Sequence, residues 1–359
     1  MEHVLKILNE NSAPNFQARL ANNGLDLAIV NQTLDRCIRE KKWLANWIEV
    51  AEDYERMGDD IFNNGGAFSA AELYVKAGVA FHYAQFLHFS DLNEKQDALD
   101  RKDAAFAKAA PLVRYPITIT SAKFEGVDLP VHIRLPEGRG PHPAILIACG
   151  MDSSKEEYFS MQTYLLDRGF AMVGFDGPGQ NQVWKHMKMR PDFHKAVSAV
   201  ADLVSEHSEV DANRLGLLGQ SFGAFLGPSV LARDDRFKAA VVNGGFFDLS
   251  HFDWANPIRE VGLPFLFGVE TVSEARDLAK GYSLAGYIKD VTAPIMVIHG
   301  NRDKDAPPSA AKRIVDEASG PGKFVAFEDG IHMCHNVSHL VRPMTADWFA
   351  EHLGLQRGP

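Results

Sequence analysis

The segment around Ser221 has the pattern of an activated serine nucleophile. Gly219, Ser221 and Gly223 form a Gly-x-Ser-x-Gly motif, which follows the apolar run 214–218 and precedes a helix-forming stretch from Phe222. A serine on a strained strand-to-helix turn needs neighbours without side chains, so that the backbone can close and Oγ can project. The helix N-terminus behind it favours developing negative charge. An ordinary Gly/Ser turn is the alternative, but the flanking strand and helix favour a nucleophile.

An acid that orients a catalytic base is expected after a later strand. The apolar run 294–299 is followed by Gly-Asn-Arg-Asp, which places Asp303 just past the expected strand end. Asp305 is the competitor, because two residues along the same loop it could reach a similar position. A loop-capping carboxylate is the alternative role for either residue. We expect Asp303 to be the acid.

The base is expected after the last strand. The run 324–327 leads into a loop that contains Gly-x-His, with His332 as the base and His335 as its rival. The two histidines could in principle form a metal pair, but a zinc site needs at least one further convincing ligand. The sequence offers none that we recognise. We therefore expect neither a metal nor an organic cofactor.

The chain order of serine, acid and histidine is the order of α/β-hydrolases, and it differs from the order in chymotrypsin-like and subtilisin-like proteases. Acyl transfer also needs two backbone N–H donors aimed at the developing oxyanion. One donor is expected from Phe222, directly after the nucleophile. The other is expected from Met151, in the loop after the third strand. Cys149 beside it is expected to be a small buried residue.

The spacing of apolar residues divides the chain into a helical part and an α/β part. Residues 5–112 carry apolar residues at three- and four-residue spacing and need no strand. Short apolar runs then alternate with amphipathic stretches, which predicts a mostly parallel sheet covered by helices. The eight candidate strands are 113–121, 129–135, 144–149, 171–175, 214–218, 239–243, 295–299 and 324–327. We expect an α/β-hydrolase fold with an N-terminal helical cap domain (1–112), a catalytic domain (113–359) and a helical lid insertion at about 251–289.

Composition limits the function classes. The chain has 359 residues, is 46% hydrophobic and carries a net charge of -10 without a long run of Lys or Arg, which argues against a nucleic-acid partner. Its three cysteines are odd in number and far apart, which suits a reducing compartment. We find neither a secretory signal nor about 18 uninterrupted apolar residues. A cytoplasmic protein without a membrane partner is expected.

Five segments of the chain resemble one particular branch of the α/β-hydrolases. They are CGMDSSKEE (149–157), FDGPGQ (175–180), GGFFDL (244–249), DGIHMCHN (329–336) and AFHYAQF (80–86). With them the chain resembles the branch of α/β-hydrolases that contains 2,6-dihydroxypseudooxynicotine hydrolase and fungal polyketide-shortening hydrolases, and more distantly the fermentation-respiration switch proteins. The triad of that branch falls on Ser221, Asp303 and His332.

The resemblance implies hydrolysis of a carbon-carbon bond next to a ketone, in a β-diketone-like, acyl-phenol or polyketide-like small molecule. The same triad serves a carboxylesterase, thioesterase or acyltransferase, and a binding protein on a hydrolase scaffold is a third reading. Some relatives use an extra acid after the sixth strand. Here Ala255 stands at that position, although Asp253 is nearby.

The helical region is expected to cover the site and supply walls of the substrate pocket. The candidate substrate-binding residues are His82, Tyr83, Phe86, Asp152, Asp253 and Trp254. Aromatic residues at helical spacing more often hold helices together, so a role in the core is the alternative. On resemblance alone, the protein is also a candidate homodimer.

Overall fold

A computed structural model describes Val4, Leu5, Leu8, residues 13–249, Trp254 and residues 256–355. Five α-helices of the described part precede the first strand. They are α1 (Ala13–Asn22), α2 (Leu27–Glu40), α3 (Trp43–Asn63), α4 (Ala67–Gln85) and α5 (Leu92–Ala109). The described residues before Ile117 contain no strand, as the helical spacing predicted.

Helix α4 is the centre of the helical region. It is rich in alanine and buried on nearly all sides, and it packs between α3 and α5. At Gly78 an added Cβ would lie 2.4 Å from the Phe106 ring of α5, so glycine lets these two helices approach closely. Helix α5 begins at an N-cap, where the Asp91 carboxylate accepts hydrogen bonds from the backbone N–H groups of Asn93 and Glu94.

Eight strands form one mostly parallel sheet, as predicted. They are β1 (Ile117–Phe124), β2 (Val127–Arg134), β3 (His142–Ala148), β4 (Ala171–Phe175), β5 (Val210–Gln220), β6 (Phe237–Asn243), β7 (Ile295–Gly300) and β8 (Gly322–Phe327). Their order is β1-β2-β4-β3-β5-β6-β7-β8. The β1–β2 and β2–β4 pairs are antiparallel, and the other pairs are parallel. The first strand begins four residues later than predicted.

Helices cover both faces of this sheet. In chain order the helices of this part are α6 (Phe159–Leu166), α7 (His194–Ser205), α8 (Phe222–Leu231), α9 (Pro257–Phe267), α10 (Val272–Ala279), α11 (Pro308–Glu317) and α12 (Ser338–His352), of which α9 and α10 pack on each other in the segment after β6. Every residue of β3, β4 and β7 is buried, since these strands have apolar cores on both sides. Helices α9 and α10 lie between β6 and β7, where the sequence predicted a helical insertion. None of the described helices is long and apolar enough to cross a bilayer.

Buried ion pairs join the helical region to the loop after β3. Lys95 Nζ lies 2.9 Å from the Asp152 carboxylate, and Lys102 Nζ lies 2.6 Å from that of Glu156. Arg19 Nε of α1 lies 2.7 Å from Glu157 Oε1. A buried charge is tolerated only when it is paired and hydrogen-bonded. These pairs therefore fix the helical region over the carboxyl ends of the strands.

We expect Gly223→Ala to destabilise the fold severely. A Cβ at this position would lie 2.0 Å from the Ala148 carbonyl oxygen, and backbone cannot move aside cheaply. The expected loss in the free energy of unfolding is about 3 kcal/mol or more, measured by urea denaturation. Gly286→Ala is the matched control, because nothing lies within 4 Å of its added Cβ. Equal stability of the two variants would contradict this account.

Candidate active site

Ser221 lies on the sharp turn between β5 and α8. Its backbone has φ 54° and ψ -114°, a strained conformation for a residue with a side chain. Its N–H donates to the Asn243 carbonyl at 2.9 Å, which ties the turn to the neighbouring strand β6. An added Cβ at Gly219 would lie 2.6 Å from the Gly223 carbonyl oxygen. The glycines are required because the turn leaves no room for side chains.

His332 lies in the loop after β8 and reaches the serine. Its Nε2 is 2.8 Å from Ser221 Oγ. The loop continues as a 3-10 turn (His332–Val337) in which Met333 and Cys334 have φ values of 57° and 55°. Asn243 Nδ2 donates to the Met333 carbonyl at 2.8 Å and holds this strained loop. The same asparagine therefore fixes the positions of both the serine and the histidine.

Asp303 lies on the other side of the imidazole. Its Oδ2 is 2.7 Å from His332 Nδ1, while its Oδ1 accepts the Asp305 N–H at 2.7 Å. Since Nδ1 donates to the carboxylate, Nε2 is free to accept the serine proton. Burial would raise the pKa of Asp303, but the charge and hydrogen bond of His332 lower it below its ordinary value.

The same carboxylates act on the imidazole in return. Burial alone would lower the pKa of His332, but the charges of Asp303 and Asp305 and the hydrogen bond from Asp303 raise it to about 8. A base with a pKa near neutrality suits proton transfer in both directions. The arrangement can take a proton from Ser221 and later return it to a leaving group.

The structure separates the two candidate acids. Asp305 Oδ2 lies 3.7 Å from His332 Nδ1, too far for a hydrogen bond. Its Oδ1 instead accepts from Arg259 Nη2 at 2.8 Å. Asp305 therefore contributes charge to the site, while Asp303 makes the hydrogen bond that orients the base.

The rival histidine His335 faces a different partner. Its Nδ1 lies 3.2 Å from Asn22 Nδ2 of α1, and burial lowers its pKa to about 3. The ligand atoms of Asp303, Asp305 and His332 lie within 4.8 Å of one another, as a metal site would require. Both ring nitrogens of His332 are already hydrogen-bonded, however, so the group fits a proton-transfer chain better than a metal site.

The two residues expected to supply the oxyanion donors, Met151 and Phe222, line the same cavity as Ser221. The backbone N–H groups of Met151 and Phe222 donate no hydrogen bond to any described residue. Gln180 Nε2 donates to the carbonyls of Cys149 and Gly150 at 2.9 and 3.0 Å. This contact fixes the loop after β3 by its carbonyls and leaves the Met151 N–H available for a substrate oxygen.

A cavity of about 100 Å³ opens over this centre. It is lined by residues from the loops after β3, β5, β6, β7 and β8, from α9 and from the helical region: Arg19, Phe86, Leu87, Gly150, Met151, Asp152, Ser153, Ser221, Phe222, Phe246, Ile258, Arg259, Asp305, His332 and Met333. A lobe of about 200 Å³ adjoins it on the side of His332. The helical region therefore supplies part of the wall around the serine.

The predicted substrate-binding residues divide into two groups. Phe86 and Asp152 line the cavity, although Asp152 is held by Lys95. His82 and Tyr83 differ from the prediction, because they are fully buried behind the wall and contact the Glu157 carboxylate. Their polar atoms are used to satisfy a buried charge and do not face the cavity.

The remaining two candidates come from the segment after β6. Trp254 is half-buried against the sheet core and under the guanidinium of Arg276, and it is not among the described residues that line the cavity. Asp253 lies outside the described residues.

The sequence did not indicate that Arg19 and Arg259 line the cavity, or that Gln180 fixes the loop after β3. Gln180 belongs to the segment FDGPGQ, which is one of the segments that carry the family resemblance. Arg19 and Arg259 stand in ordinary helical stretches without a local motif. Their roles depend on partners distant in sequence, so no local signal distinguishes them.

Comparison with known proteins gives matches along most of the chain. The family described as Esterase FrsA-like matches residues 13–254, and the Prolyl oligopeptidase family matches residues 157–356. The chain is 33% identical over 312 residues to 2,6-dihydropseudooxynicotine hydrolase of Paenarthrobacter nicotinovorans, covering 86% of this chain and 84% of the relative. It is 29% identical to 20-hydroxy-prefusarin hydrolase of Gibberella moniliformis, covering 58% and 53%.

Solved structures agree with these matches. The crystal structure of 2,6-dihydroxy-pseudo-oxynicotine hydrolase superposes with a TM-score of 0.87 at 32% identity, covering 94% of this chain and 95% of that one. The structure of AbyA5 superposes with a TM-score of 0.70 at 19% identity, covering 87% and 84%. The second similarity concerns the fold alone.

We expect Asp303→Asn to lower kcat on the order of 10³- to 10⁴-fold, because the amide no longer orients and stabilises the imidazolium. Asp305→Asn should cost less than about tenfold, since Asp305 makes no hydrogen bond to His332. Steady-state hydrolysis of an activated aryl ester measures both. A larger loss of kcat from Asp305→Asn than from Asp303→Asn would show that Asp305, and not Asp303, orients the imidazole.

The sheet, the turn that carries Ser221 and the matches over most of the chain lead to one assignment. The chain belongs to the FrsA-like family of α/β-hydrolases.

Proposed function

We propose that this protein is a serine hydrolase that cleaves a carbon-carbon bond next to a ketone in a β-diketone-like, acyl-phenol or polyketide-like substrate. The observation that carries the proposal is the hydrogen-bonded chain from Ser221 through His332 to Asp303. The similarity over most of its length to a 2,6-dihydropseudooxynicotine hydrolase supports the substrate class.

In the first step His332 takes the Ser221 proton while Oγ attacks the ketone carbon. The resulting oxyanion accepts hydrogen bonds from the N–H groups of Met151 and Phe222. Asp303 stabilises the imidazolium that forms. Because the strained turn makes Oγ project, Ser221 is exposed to the cavity before a substrate binds.

In the second step the tetrahedral intermediate collapses and the carbon-carbon bond breaks. The bonding electrons pass to the leaving carbon, which is stabilised as an enolate or as an electron-rich ring carbon. The His332 imidazolium protonates that carbon, and an acyl group remains on Ser221. Water, activated by the neutral imidazole, then releases the acid.

Ester hydrolysis is the second candidate function. The matching family is described as an esterase, and the same residues would cleave an ester, a thioester or an activated acyl donor. The two readings differ in the leaving atom, which is a carbon in the first and an oxygen or sulfur in the second. A ketone substrate distinguishes them because only the first reading converts it into an acid and a new C–H product.

We propose in addition that residues 1–112 act as a cap domain and that the segment 251–289 acts as a lid. Arg19, Phe86 and Leu87 from the first region and Ile258 and Arg259 from the second line the cavity.

We also propose a cytoplasmic location. The three cysteines, all of them described, form no disulfide and are buried, which suits a reducing compartment. A homodimer is proposed on the family resemblance alone.

Incubation with aryl β-diketones, acyl-phenols and matched esters tests the proposal. We expect wild-type protein to add one water across the ketone and release an acid, with both products followed by mass spectrometry. Ser221→Ala should abolish this cleavage, because Ser221 carries the cavity hydroxyl that is hydrogen-bonded to His332, whereas the hydroxyl of Ser153 donates to Glu157. Turnover of esters alone would leave the esterase reading. A serine-directed phosphonate that failed to label the folded protein would point to a binding protein instead.

We expect kcat/KM to rise with pH along a single ionisation with an apparent pKa of about 8. Only neutral His332 can accept the Ser221 proton, and the carboxylates around it raise its pKa to about 8. Activity is therefore lost as the pH falls below this value. Asp305→Asn should move the inflection to lower pH, because it removes one of the charges that stabilise the imidazolium. A flat profile between about pH 6 and 9 would contradict this role of His332.

A further inference from the structure

We propose that the lobe beside His332 binds an anionic oxygen group, a phenolate, enolate or carboxylate, on the leaving fragment of the substrate, and that Arg19 selects for it. The proposal rests on the proposed hydrolase function and names the chemical class of its substrate. We use the name leaving-group lobe for the space lined by Asn15, Phe16, Arg19, Phe86, Asn256, Ile258, Asp305, Ile331, His332 and His335.

The position of His332 identifies which fragment enters this lobe. His332 lines both the cavity over Ser221 and the leaving-group lobe, whereas Met151, Phe222 and Ser221 line only the former. The acyl carbonyl must lie at the oxyanion donors, and the departing fragment must lie where the imidazolium can protonate it. The leaving fragment therefore extends past His332 into the lobe.

The guanidinium of Arg19 lines this space, and only two of its three nitrogen atoms donate to described residues. Its Nε and Nη2 donate to the two oxygens of Glu157 at 2.7 and 2.9 Å, and Nη2 also donates to Ser153 at 3.1 Å. Its Nη1 donates to no described residue, and the side chain is 17% exposed. A guanidinium fixed on one edge keeps its other donors in a planar arrangement, which suits a carboxylate or phenolate oxygen.

The partner of Arg19 is itself fully engaged. Besides Arg19, the Glu157 carboxylate accepts from Asn23 Nδ2 at 3.0 Å and Ser153 Oγ at 2.6 Å. It also lies 3.2 Å from Tyr83 Oη and His82 Nε2. Its charge is thus shared among several donors behind the wall. Arg19 is left as the cationic group that faces the lobe from this side.

A second donor lines the same lobe. Asn22 Nδ2 donates to His335 Nδ1, which leaves the proton of the neutral imidazole on Nε2. That Nε2 is buried and has no hydrogen-bond partner among the described residues, and the residue as a whole is 9% exposed. A buried donor without a partner is costly, and a turn of the imidazole toward an acceptor on a ligand in the lobe would satisfy it.

The other walls restrict the shape of the ligand. Phe16, Phe86, Ile258 and Ile331 are apolar and suit a flat aromatic or enol ring. The Arg19 guanidinium lies 4.3 Å from the Phe86 ring centroid, so the ring and the cation form one surface. The acidic group of the lobe, Asp305, is paired with Arg259. A ring that carries an ionised oxygen fits these contacts.

Matched aryl acetates test the proposal without requiring carbon-carbon cleavage. The probes are 3-carboxyphenyl acetate and the neutral 3-carbamoylphenyl acetate, which differ in the charge on the leaving phenol. We expect Arg19→Gln to lower kcat/KM for the carboxylate roughly 10- to 100-fold and to change the value for the carboxamide less than about threefold. His335→Phe should lower the value for the carboxylate several-fold.

The controls separate recognition from folding. Arg56→Gln removes an exposed arginine of the helical region and should change neither ester. Because Arg19→Gln leaves Glu157 without its cation, its thermal midpoint is measured alongside. His335→Phe keeps the Arg19–Glu157 pair and tests the same lobe if the arginine variant fails to fold.

Either of two results would overturn the proposal. One is an equal loss for both esters in Arg19→Gln, which would make Arg19 a purely structural residue. The other is a wild-type protein that does not prefer the carboxylate. If no ester is turned over, calorimetric affinities of the Ser221→Ala protein for the two esters, with and without Arg19→Gln, decide the same question. Failure of ketone cleavage leaves this comparison intact.

Discussion

Ion pairs buried between the helical region and the loop after β3 are the constraint on which the site depends. Asp152 and Glu156 of this loop pair with Lys95 and Lys102 of α5, and Glu157 pairs with Arg19 of α1. Removing one partner leaves an uncompensated buried charge, and such losses typically cost about 3 to 5 kcal/mol. The loop that carries Met151 therefore cannot move independently of the helices. Placement of the expected oxyanion donor and closure of the cavity are consequences of the same contacts.

Backbone strain and nearby charges also fix the groups around Ser221 and His332. The turn at Ser221 and the loop at His332 both contain residues with positive φ, and Asn243 is hydrogen-bonded to both segments. Asp303 orients the imidazole and raises its pKa, while Asp305 adds charge and is restrained by Arg259. Such an arrangement is ready for proton transfer before a substrate binds. It favours no particular leaving atom, so the choice of bond must come from the walls of the cavity.

Those walls come largely from outside the sheet. Arg19 and Phe86 belong to the helical region, and Ile258 belongs to the insertion between β6 and β7. Changes in these two regions would alter the substrate without disturbing the serine, acid and histidine. This division agrees with a general observation on widespread folds, in which the same framework occurs in proteins with many different functions.

The sequence by itself predicted the eight strands, their mostly parallel character and the candidates Ser221, Asp303 and His332, with Asp305 and His335 as rivals, because each depends on a local pattern of apolar runs, glycines and loop residues. Only the tertiary structure decided which residues line the cavity and how the rival acids and histidines are partnered. His82 and Tyr83 satisfy Glu157 behind the wall, and Arg19 reaches the site although it stands 138 residues before Glu157. A long-range ion pair leaves no periodicity or motif in the chain. Its existence follows from how the folded surfaces meet, because a charge is buried only where its partner is brought to it.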